Sequence, residues 1–241
     1  MVNCFSLHGG SFFSDHILVA TGDPKTESKT TEIVNWDKKK SCSSNDISMF
    51  PTELQYASGG LLDHKPTMCG GYDGYDNWRN ECWQLINNQW KPIIYLKTKS
   101  SSHASLVINN QLIISGGHDG HQRLSSTEII SNGRTLDGPE LQLALDGHCM
   151  VNYNRMIYII GGWTNNPYGI TAQTWIHSYE MKFIRDGPRM TSARVHHGCA
   201  TLNIKNKETI IAVGGFYTCY SAEFLDPITN SWKESKSFRC N

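Results

Sequence analysis

Several features that would point to a particular function are missing from this chain of 241 residues. No apolar run approaches the roughly 18 residues that a membrane-spanning helix needs. The segment from Met1 to Gly10 has neither the basic nor the apolar stretch of a secretory leader. Lysine plus arginine and aspartate plus glutamate number 22 each, and this zero net charge argues against electrostatic capture of nucleic acid or an anionic membrane.

The eight cysteines are spread along the chain, without the Cys-x-x-Cys clustering of a metal site. Acceptor sites for N-glycosylation are absent as well, and a chain of this length has no need of disulfides. We therefore expect a cytoplasmic protein with free, buried thiols; a leader removed before Met1 would instead make it a secreted one. Two disulfides stay open as alternatives: Cys69 with Cys82, on either side of one loop, and Cys4 with Cys240, at the two chain ends.

Sequence motifs of catalysis are missing too. The chain contains no Gly-x-Ser-x-Gly elbow, no His-Glu-x-x-His pair and no phosphate-binding loop. We accordingly predict no catalytic residue, no metal ligand and no cofactor, and we expect a protein that is not an enzyme.

What the chain does contain is a ladder of Gly-Gly pairs, each of which ends a short apolar run. The clear copies begin at Gly70, Gly116, Gly161 and Gly214, and Gly22 followed by Asp23 is a degraded fifth. The steps between the first glycines are 48, 46, 45 and 53 residues. A fixed period of this size indicates a solenoid, a propeller or an array, whose units cannot bury a core alone. The sequence therefore predicts a single domain over 1–241, with units at about 1–46, 47–96, 97–142, 143–188 and 189–241.

Each unit reads as four short strands. In the third unit, β-prone runs at 102–108 and 111–115 are joined by Asn109–Asn110, a two-residue turn signal. A polar loop, a third run at 127–130 and a weaker fourth segment from Thr135 follow. Four antiparallel strands without a helical period are typical of one propeller blade. A glutamate is predicted in the third strand of every unit: Glu32, Glu81, Glu128, Glu180 and Glu223.

These patterns resemble the kelch repeat, an apolar strand ending in Gly-Gly, a polar loop, a Glu-containing strand and then a Trp. The best copy runs from Ile210 through Gly214–Gly215 and Glu223 to Trp232. The resemblance implies an all-β fold, a kelch-type β-propeller with about five four-stranded antiparallel blades. Kelch propellers most often have six or seven blades, so the alternative is a piece of a larger ring, with six. It also implies a protein-binding module, for example an adaptor.

Strand order predicts which ends of the blades lie together. The first strand (A) crosses the disc and the second (B) returns, so the start of A and the end of B share one face. The loops there join B to the third strand (C), and the fourth strand (D) to the next blade. His8, His103, His148 and His197, with Tyr56 in the second unit, lie near the starts of the A strands. We expect them and the glycines to have a structural role between blades, and a metal- or anion-binding channel mouth is the alternative.

The B–C loops are rich in the side chains that dominate protein interfaces, Tyr, Trp and Arg. The predicted binding residues of these loops and of the last D–A connection are Tyr72, Tyr75, Trp78, Arg79, His118, His121, Arg123, Trp163, Tyr168, Trp175, Arg189, Arg194, Tyr217 and Tyr220. We expect a monomer with a protein partner, no nucleic acid and no membrane insertion. A secreted propeller that binds carbohydrate or matrix and a metal-dependent enzyme at the channel mouth are the alternative functions.

Overall fold

A computed structural model describes residues 10–13, 16–20, 31–35, 40–42, 48–165, 168–204, 206–218 and 220–235. In these ranges every regular element is a β-strand. No helix in the described ranges is long and apolar enough to cross a membrane. The prediction of an all-β chain is therefore confirmed.

The strands form five four-stranded antiparallel sheets in chain order. The first consists of β1 (Gly10–Phe13), β2 (His16–Ala20), β3 (Thr31–Asn35) and β4 (Lys40–Cys42). The second consists of β5 (Ser58–Leu62), β6 (Lys65–Cys69), β7 (Glu81–Ile86) and β8 (Gln89–Tyr95). The third consists of β9 (Ala104–Ile108), β10 (Gln111–Ser115), β11 (Thr127–Ser131) and β12 (Arg134–Gly138).

The fourth and fifth sheets follow the same plan, with one addition. The fourth consists of β14 (Cys149–Tyr153), β15 (Met156–Ile160), β18 (Thr174–His177) and β19 (Phe183–Asp186). The fifth consists of β20 (Gly198–Ile204), β21 (Lys207–Val213), β22 (Ala222–Asp226) and β23 (Ser231–Glu234). The extra residues of the fourth blade form a hairpin of β16 (Trp163–Asn165) and β17 (Tyr168–Ile170), which pairs with β13 (Leu145–Asp146). The extra residues behind the 53-residue step between Gly161 and Gly214 thus form a small three-stranded sheet at this loop.

Local chemistry explains the hairpins within each blade. Asn109 and Asn110 join β9 to β10 with φ of 50° and 58°. A two-residue turn with both φ values positive matches the twist of the flanking strands, and asparagine tolerates that conformation best after glycine. Asn87 and Asn88 join β7 to β8 in the same way, with φ of 50° and 62°. The turn predicted from the asparagine pair is confirmed.

Side chains of strand B alternate between the two neighbouring blades. In β15, Ile157 and Ile159 belong to the apolar cluster shared with the third blade, whereas Tyr158 and Ile160 belong to the cluster shared with the fifth. Successive residues of a strand point to opposite sides of its sheet, so a run of apolar residues serves both interfaces. The innermost strands β1, β5, β9, β14 and β20 contact one another in that order. The core of the protein is therefore a series of seams between consecutive blades.

The side of the fifth blade that faces away from the fourth differs from the same side of the earlier blades. Cys69, Ser115 and Ile160, the last residues of their B strands, are fully buried, whereas Val213 at the same place is 40% exposed. Leu202 on β20 is 42% exposed. Closure of the ring between the fifth and first blades stays a prediction.

Two details of the predicted pattern are corrected. The third strand of the fourth blade, Thr174–His177, contains no glutamate, and Glu180 lies in the turn that follows it. Among the thiols, the structure joins Cys69 to Cys82 and Cys149 to Cys199, so these four are not free as expected. The first disulfide links neighbouring strands of one blade, and the second links the innermost strands of the fourth and fifth blades. The pair of Cys4 and Cys240 lies outside the described residues.

Candidate functional site

The Gly-Gly pairs of the second, third and fourth blades dock these blades onto the connection that leads to the next. Gly161 has φ of +63°, and a Cβ atom there would lie 2.7 Å from the carbonyl oxygen of Arg194. The N–H of Gly162 donates to that same oxygen at 2.8 Å. Only a residue without Cβ permits both the positive φ and this close approach. The geometry supports the expected structural role of the pairs.

The residue after each Gly-Gly pair is held against the connection that enters its own blade. Tyr72 forms an antiparallel bridge with Gln55, and His118 forms one with Ser101. In the other two blades the equivalent pairings join Trp163 to Asp146 and the N–H of Phe216 to the carbonyl oxygen of Val195. The B–C loops and the D–A connections therefore lie side by side, as the strand order predicts. We call this surface the loop face: the B–C loops at 72–79, 118–123, 163–165 and 216–218 with Tyr220, together with the connections at 55–56, 101–102, 146–147 and 195–196.

All four residues that follow a Gly-Gly pair in the described blades carry an aromatic ring: Tyr72, His118, Trp163 and Phe216. Their main chains are fixed by the pairings to the inner connections, so the rings recur at one position around the face. Phe216 was not among the predicted binding residues. Its place directly after Gly214–Gly215 was the signal that would have identified it.

Side chains of neighbouring loops contact one another. The Trp78 ring lies 4.8 Å from that of Tyr72, and its Nε1–H donates to Ser101 Oγ at 3.1 Å. A Cβ atom added at Gly120 in the next loop would lie 2.7 Å from the Trp78 ring. The indole therefore packs against the backbone of the third blade and joins the second and third loops.

Arg123 joins the third loop to the fourth. Its guanidinium carbon lies 5.0 Å from the Trp163 ring centroid, within cation–π range. Its Nε donates to Asp146 Oδ1 at 3.2 Å and its Nη1 to Asn165 Oδ1 at 2.6 Å. These contacts orient both the guanidinium and the indole before any ligand arrives.

Other predicted residues are displayed to solvent. Tyr75, Tyr217 and Tyr220 are 79%, 72% and 71% exposed, and Phe216 next to them is 64% exposed. His121 and Arg189 are exposed as well. Arg79 is partly buried and lies 3.4 Å from Asp73 Oδ2 and 3.6 Å from Glu81 Oε1. The backbone of Tyr168 pairs with Asn165, and its side chain is outside the described part of the structure.

Two predicted binding residues lie in the interior instead. Trp175 belongs to β18 and is only 5% exposed in the apolar cluster between the third and fourth blades. Arg194 is 1% exposed, and its Nε and Nη2 both donate to Glu223 Oε1, at 3.1 Å and 3.0 Å. The Arg194 guanidinium also donates to the carbonyl oxygens of Gly214 and Ser221. Neither side chain reaches the loop face, because one fills the core and the other neutralises a buried carboxylate.

The buried histidines fit between blades. The Cε1 atoms of His103, His148 and His197 lie within 2.9 Å of where a Cβ of Gly70, Gly116 and Gly161 would be. Nε2 of His148 lies 3.0 Å from Ser115 Oγ in the preceding blade. Burial lowers the pKa of His103 to about 4 and, helped by neighbouring positive charge, the pKa values of His148 and His197 to about 3. All three imidazoles are therefore neutral at pH 7.

In the second to fifth blades, the residues before the innermost strands are joined by a ladder of main-chain hydrogen bonds. Ser102 N–H donates to Tyr56 O at 2.8 Å, Gly147 N–H to Ser102 O at 2.7 Å, and His196 N–H to Gly147 O at 2.7 Å. All four residues have φ between 53° and 60°. The rings of Tyr56 and His196 meet at 5.3 Å. Tyr56 thus belongs to this ladder, and Ala57 rather than Tyr56 occupies the place of the buried histidines; His8 is outside the described residues.

The alternative of a metal at the channel mouth gains no support from this geometry. Within the described ranges no three His, Cys, Asp or Glu side chains come together as a set that could hold an ion. The buried histidines of successive blades instead contact glycines and hydroxyl or sulfur atoms of their neighbours.

Comparisons with known proteins agree with the repeat. The family model described as the Kelch motif matches residues 99–131, the third blade from the connection before β9 to the end of β11. The chain is also similar to Spermatocyte protein spe-26 of Caenorhabditis elegans, with 35% identity over 172 residues. That match covers 64% of this chain and 29% of the relative, so the chain spans less than a third of the length of the curated relative.

Proposed function

Because this chain is a kelch-repeat protein, we propose that it is a non-enzymatic protein-binding module that uses the loop face to hold its partner. The observation that carries the proposal is the aromatic position after each Gly-Gly pair, held in four successive blades by pairing to the inner connection. Kelch repeats are typical of protein-interaction modules. Aromatic side chains on a rigid frame supply large contact area at a low entropic cost.

The composition of the face supports a protein partner. Tyr75, Phe216, Tyr217 and Tyr220 expose most of their surface next to polar and charged groups of the same loops. Exposed aromatic clusters with a polar rim mark interaction sites on soluble proteins. The contacts of Trp78 and Arg123 between loops keep the face in one arrangement, which reduces what is lost in side-chain freedom on binding.

A second candidate, a secreted propeller that binds carbohydrate or matrix, is favoured by one observation. The disulfides Cys69–Cys82 and Cys149–Cys199 persist in oxidising compartments and are rare in the reducing cytosol. They support an oxidising compartment rather than the cytoplasm expected from the sequence. The loop face would serve either partner, since tyrosine and tryptophan bind sugars as well as proteins.

The proposal is tested by quantitative capture from native extract. A variant with Tyr75→Ala and Tyr217→Ala should lose the captured proteins by at least tenfold relative to the unmodified chain. Ile228→Ala is the matched control, because Ile228 is 75% exposed but lies in a C–D turn, away from the B–C loops. Equal capture by the loop variant and the control would overturn the proposal. Binding on a glycan array that is lost in the same loop variant would favour the carbohydrate alternative.

A further inference from the structure

One position in the third strand is occupied by a glutamate in two blades and by a tryptophan in the two others. Glu128 and Glu223 pair with the next-to-last residue of their B strands, Ile114 and Ala212. At the same register the second and fourth blades have Trp83, opposite Met68, and Trp175, opposite Ile159. Two blades thus place a carboxylate at this point, and two place an indole.

The carboxylates bind the connection that enters their own blade. Glu128 accepts the N–H groups of Lys97 and Thr98 at 2.7 Å and 3.0 Å. Glu223 accepts those of Thr191 and Ser192 at 2.6 Å and 3.1 Å. Thr98 and Ser192 each lie three residues before the residue that pairs with the B–C loop. The equivalent residue in the other blades is therefore found three positions before the residue that pairs with the B–C loop.

In the fourth blade a leucine occupies the equivalent position. Leu143 lies three residues before Asp146, the residue that pairs with Trp163. It packs against the apolar cluster that contains Trp175 and Leu145. Trp175 is 5% exposed, whereas Trp83 at the same register of the second blade is only partly buried.

In the second blade the equivalent residue is Thr52, three residues before Gln55. A cavity of about 210 Å³ lies here, lined by Pro51, Thr52, Leu54, Arg79, Glu81 and Trp83. Threonine is shorter and more polar than leucine, and in the second blade the cavity extends from Thr52 to Trp83. A buried cavity of about 150 Å³ is enough to bind benzene, so this volume has room for one apolar side chain.

The charged groups in and beside the cavity have an excess of carboxylate, because Arg79 and Glu81 line it and Asp73 lies next to Arg79. Arg79 is shared between Asp73, at 3.4 Å, and Glu81, at 3.6 Å. Two carboxylates and one guanidinium leave a local negative charge beside the apolar wall. A ligand with a basic group next to an aliphatic one would be complementary to both features.

We propose that this cavity is the anchor pocket of the loop face, and that it takes a leucine or methionine side chain of a protein partner with a lysine or arginine adjacent to it in sequence. The inference rests on the proposed function, and it adds the chemistry of the partner. Within the chain, Leu143 at the equivalent position of the fourth blade packs against the cluster that contains Trp175, which favours an aliphatic occupant here. Arg79 belongs both to the pocket and to the Tyr72–Arg79 loop, so an extended segment seated in the pocket continues onto the aromatic rings.

The test uses a displayed library of random 12-residue peptides, selected on the full chain with Thr52→Leu protein in solution as competitor. Thr52→Leu introduces the residue found at the equivalent position of the fourth blade and should fill the pocket, whereas Thr52→Ser is the matched control that should keep it open. Synthetic peptides from the selection should contain an aliphatic residue next to a basic one. Their affinity, measured by fluorescence polarisation, should fall at least tenfold on Thr52→Leu and less than twofold on Thr52→Ser.

Failure of this inference differs from failure of the proposed function. Selected peptides that bind Thr52→Leu as tightly as the unmodified chain, that lack the aliphatic–basic pair, or that never discriminate between the two proteins would overturn the pocket. Peptides that are lost on Tyr217→Ala but retained on Thr52→Leu would overturn the pocket and leave the loop face standing. The melting temperature of Thr52→Leu, which should not fall, shows that the substitution leaves the fold intact.

Discussion

Arg194 and Glu223 form an ion pair whose two side chains are both fully buried, with Nη2 and Oε1 3.0 Å apart. Arg194→Ala should destabilise the protein by about 3–5 kcal/mol, because it leaves an uncompensated carboxylate in the core. The measurement is the urea midpoint at pH 7. The amount of partner bound by the loop face should fall only in proportion to the loss of folded protein.

The chain provides its own compensating pair. Leu54 and Leu145 occupy the Arg194 position in the second and fourth blades, where Trp83 and Trp175 occupy the Glu223 position. A double variant with Arg194→Leu and Glu223→Trp should therefore be more stable than Arg194→Ala, since no charge remains buried. If the double variant is less stable than the single one, the loss of the Glu223 acceptor for the N–H groups of Thr191 and Ser192 costs more than the unpaired carboxylate does.

The second prediction concerns the Gly-Gly ladder. Gly161→Ala should cost at least about 2 kcal/mol, because the added Cβ meets the Arg194 carbonyl oxygen at 2.7 Å and the positive φ is strained for alanine. Gly198→Ala is the control: its Cβ would meet nothing within 4 Å. Thermal unfolding of the two variants measures the difference. Equal melting temperatures would mean that the pair does not hold the blades together.

Local patterns in the sequence were enough to predict the blades, and contacts between distant residues were not. The asparagine turn at Asn109 and the Gly-Gly ends of the B strands depend on backbone conformations that few residue types adopt, so they are visible in the chain. Arg194 looked like a loop residue because its partner, Glu223, is 29 residues away. Trp175 was assigned to the B–C loop because the residues of the hairpin at 163–170 separate it from Gly162, and nothing in its neighbours marks where β18 begins.

The third prediction is that both disulfides form in the purified protein. Peptide mapping by mass spectrometry without reduction should find Cys69 linked to Cys82 and Cys149 linked to Cys199. From the 13 and 50 residues that separate the cysteines, the disulfides should stabilise the fold by about 3 and about 4 kcal/mol, through the lost freedom of the unfolded chain. Cys199→Ala should therefore lower the urea midpoint. Detection of free thiols at all four positions would contradict both disulfides and remove the observation that favours the secreted alternative.

The last prediction follows from the neutral histidines between the blades. The folded pKa values of His103, His148 and His197, at about 4, about 3 and about 3, lie below the value of about 6.5 in the unfolded chain. The unfolded state therefore binds protons more readily, and the stability present above pH 6.5 is lost as the pH falls toward 4. Each histidine should cost about 2 kcal/mol between pH 7 and pH 5, a sum comparable to the whole stability of many domains. Urea midpoints should fall steeply as the pH is lowered across this range. In His148→Gln the urea midpoint should fall less with pH. The control His121→Gln, at an exposed loop position, should retain the slope of the unmodified chain. An unchanged slope in His148→Gln would show that this imidazole does not stay neutral in the folded protein.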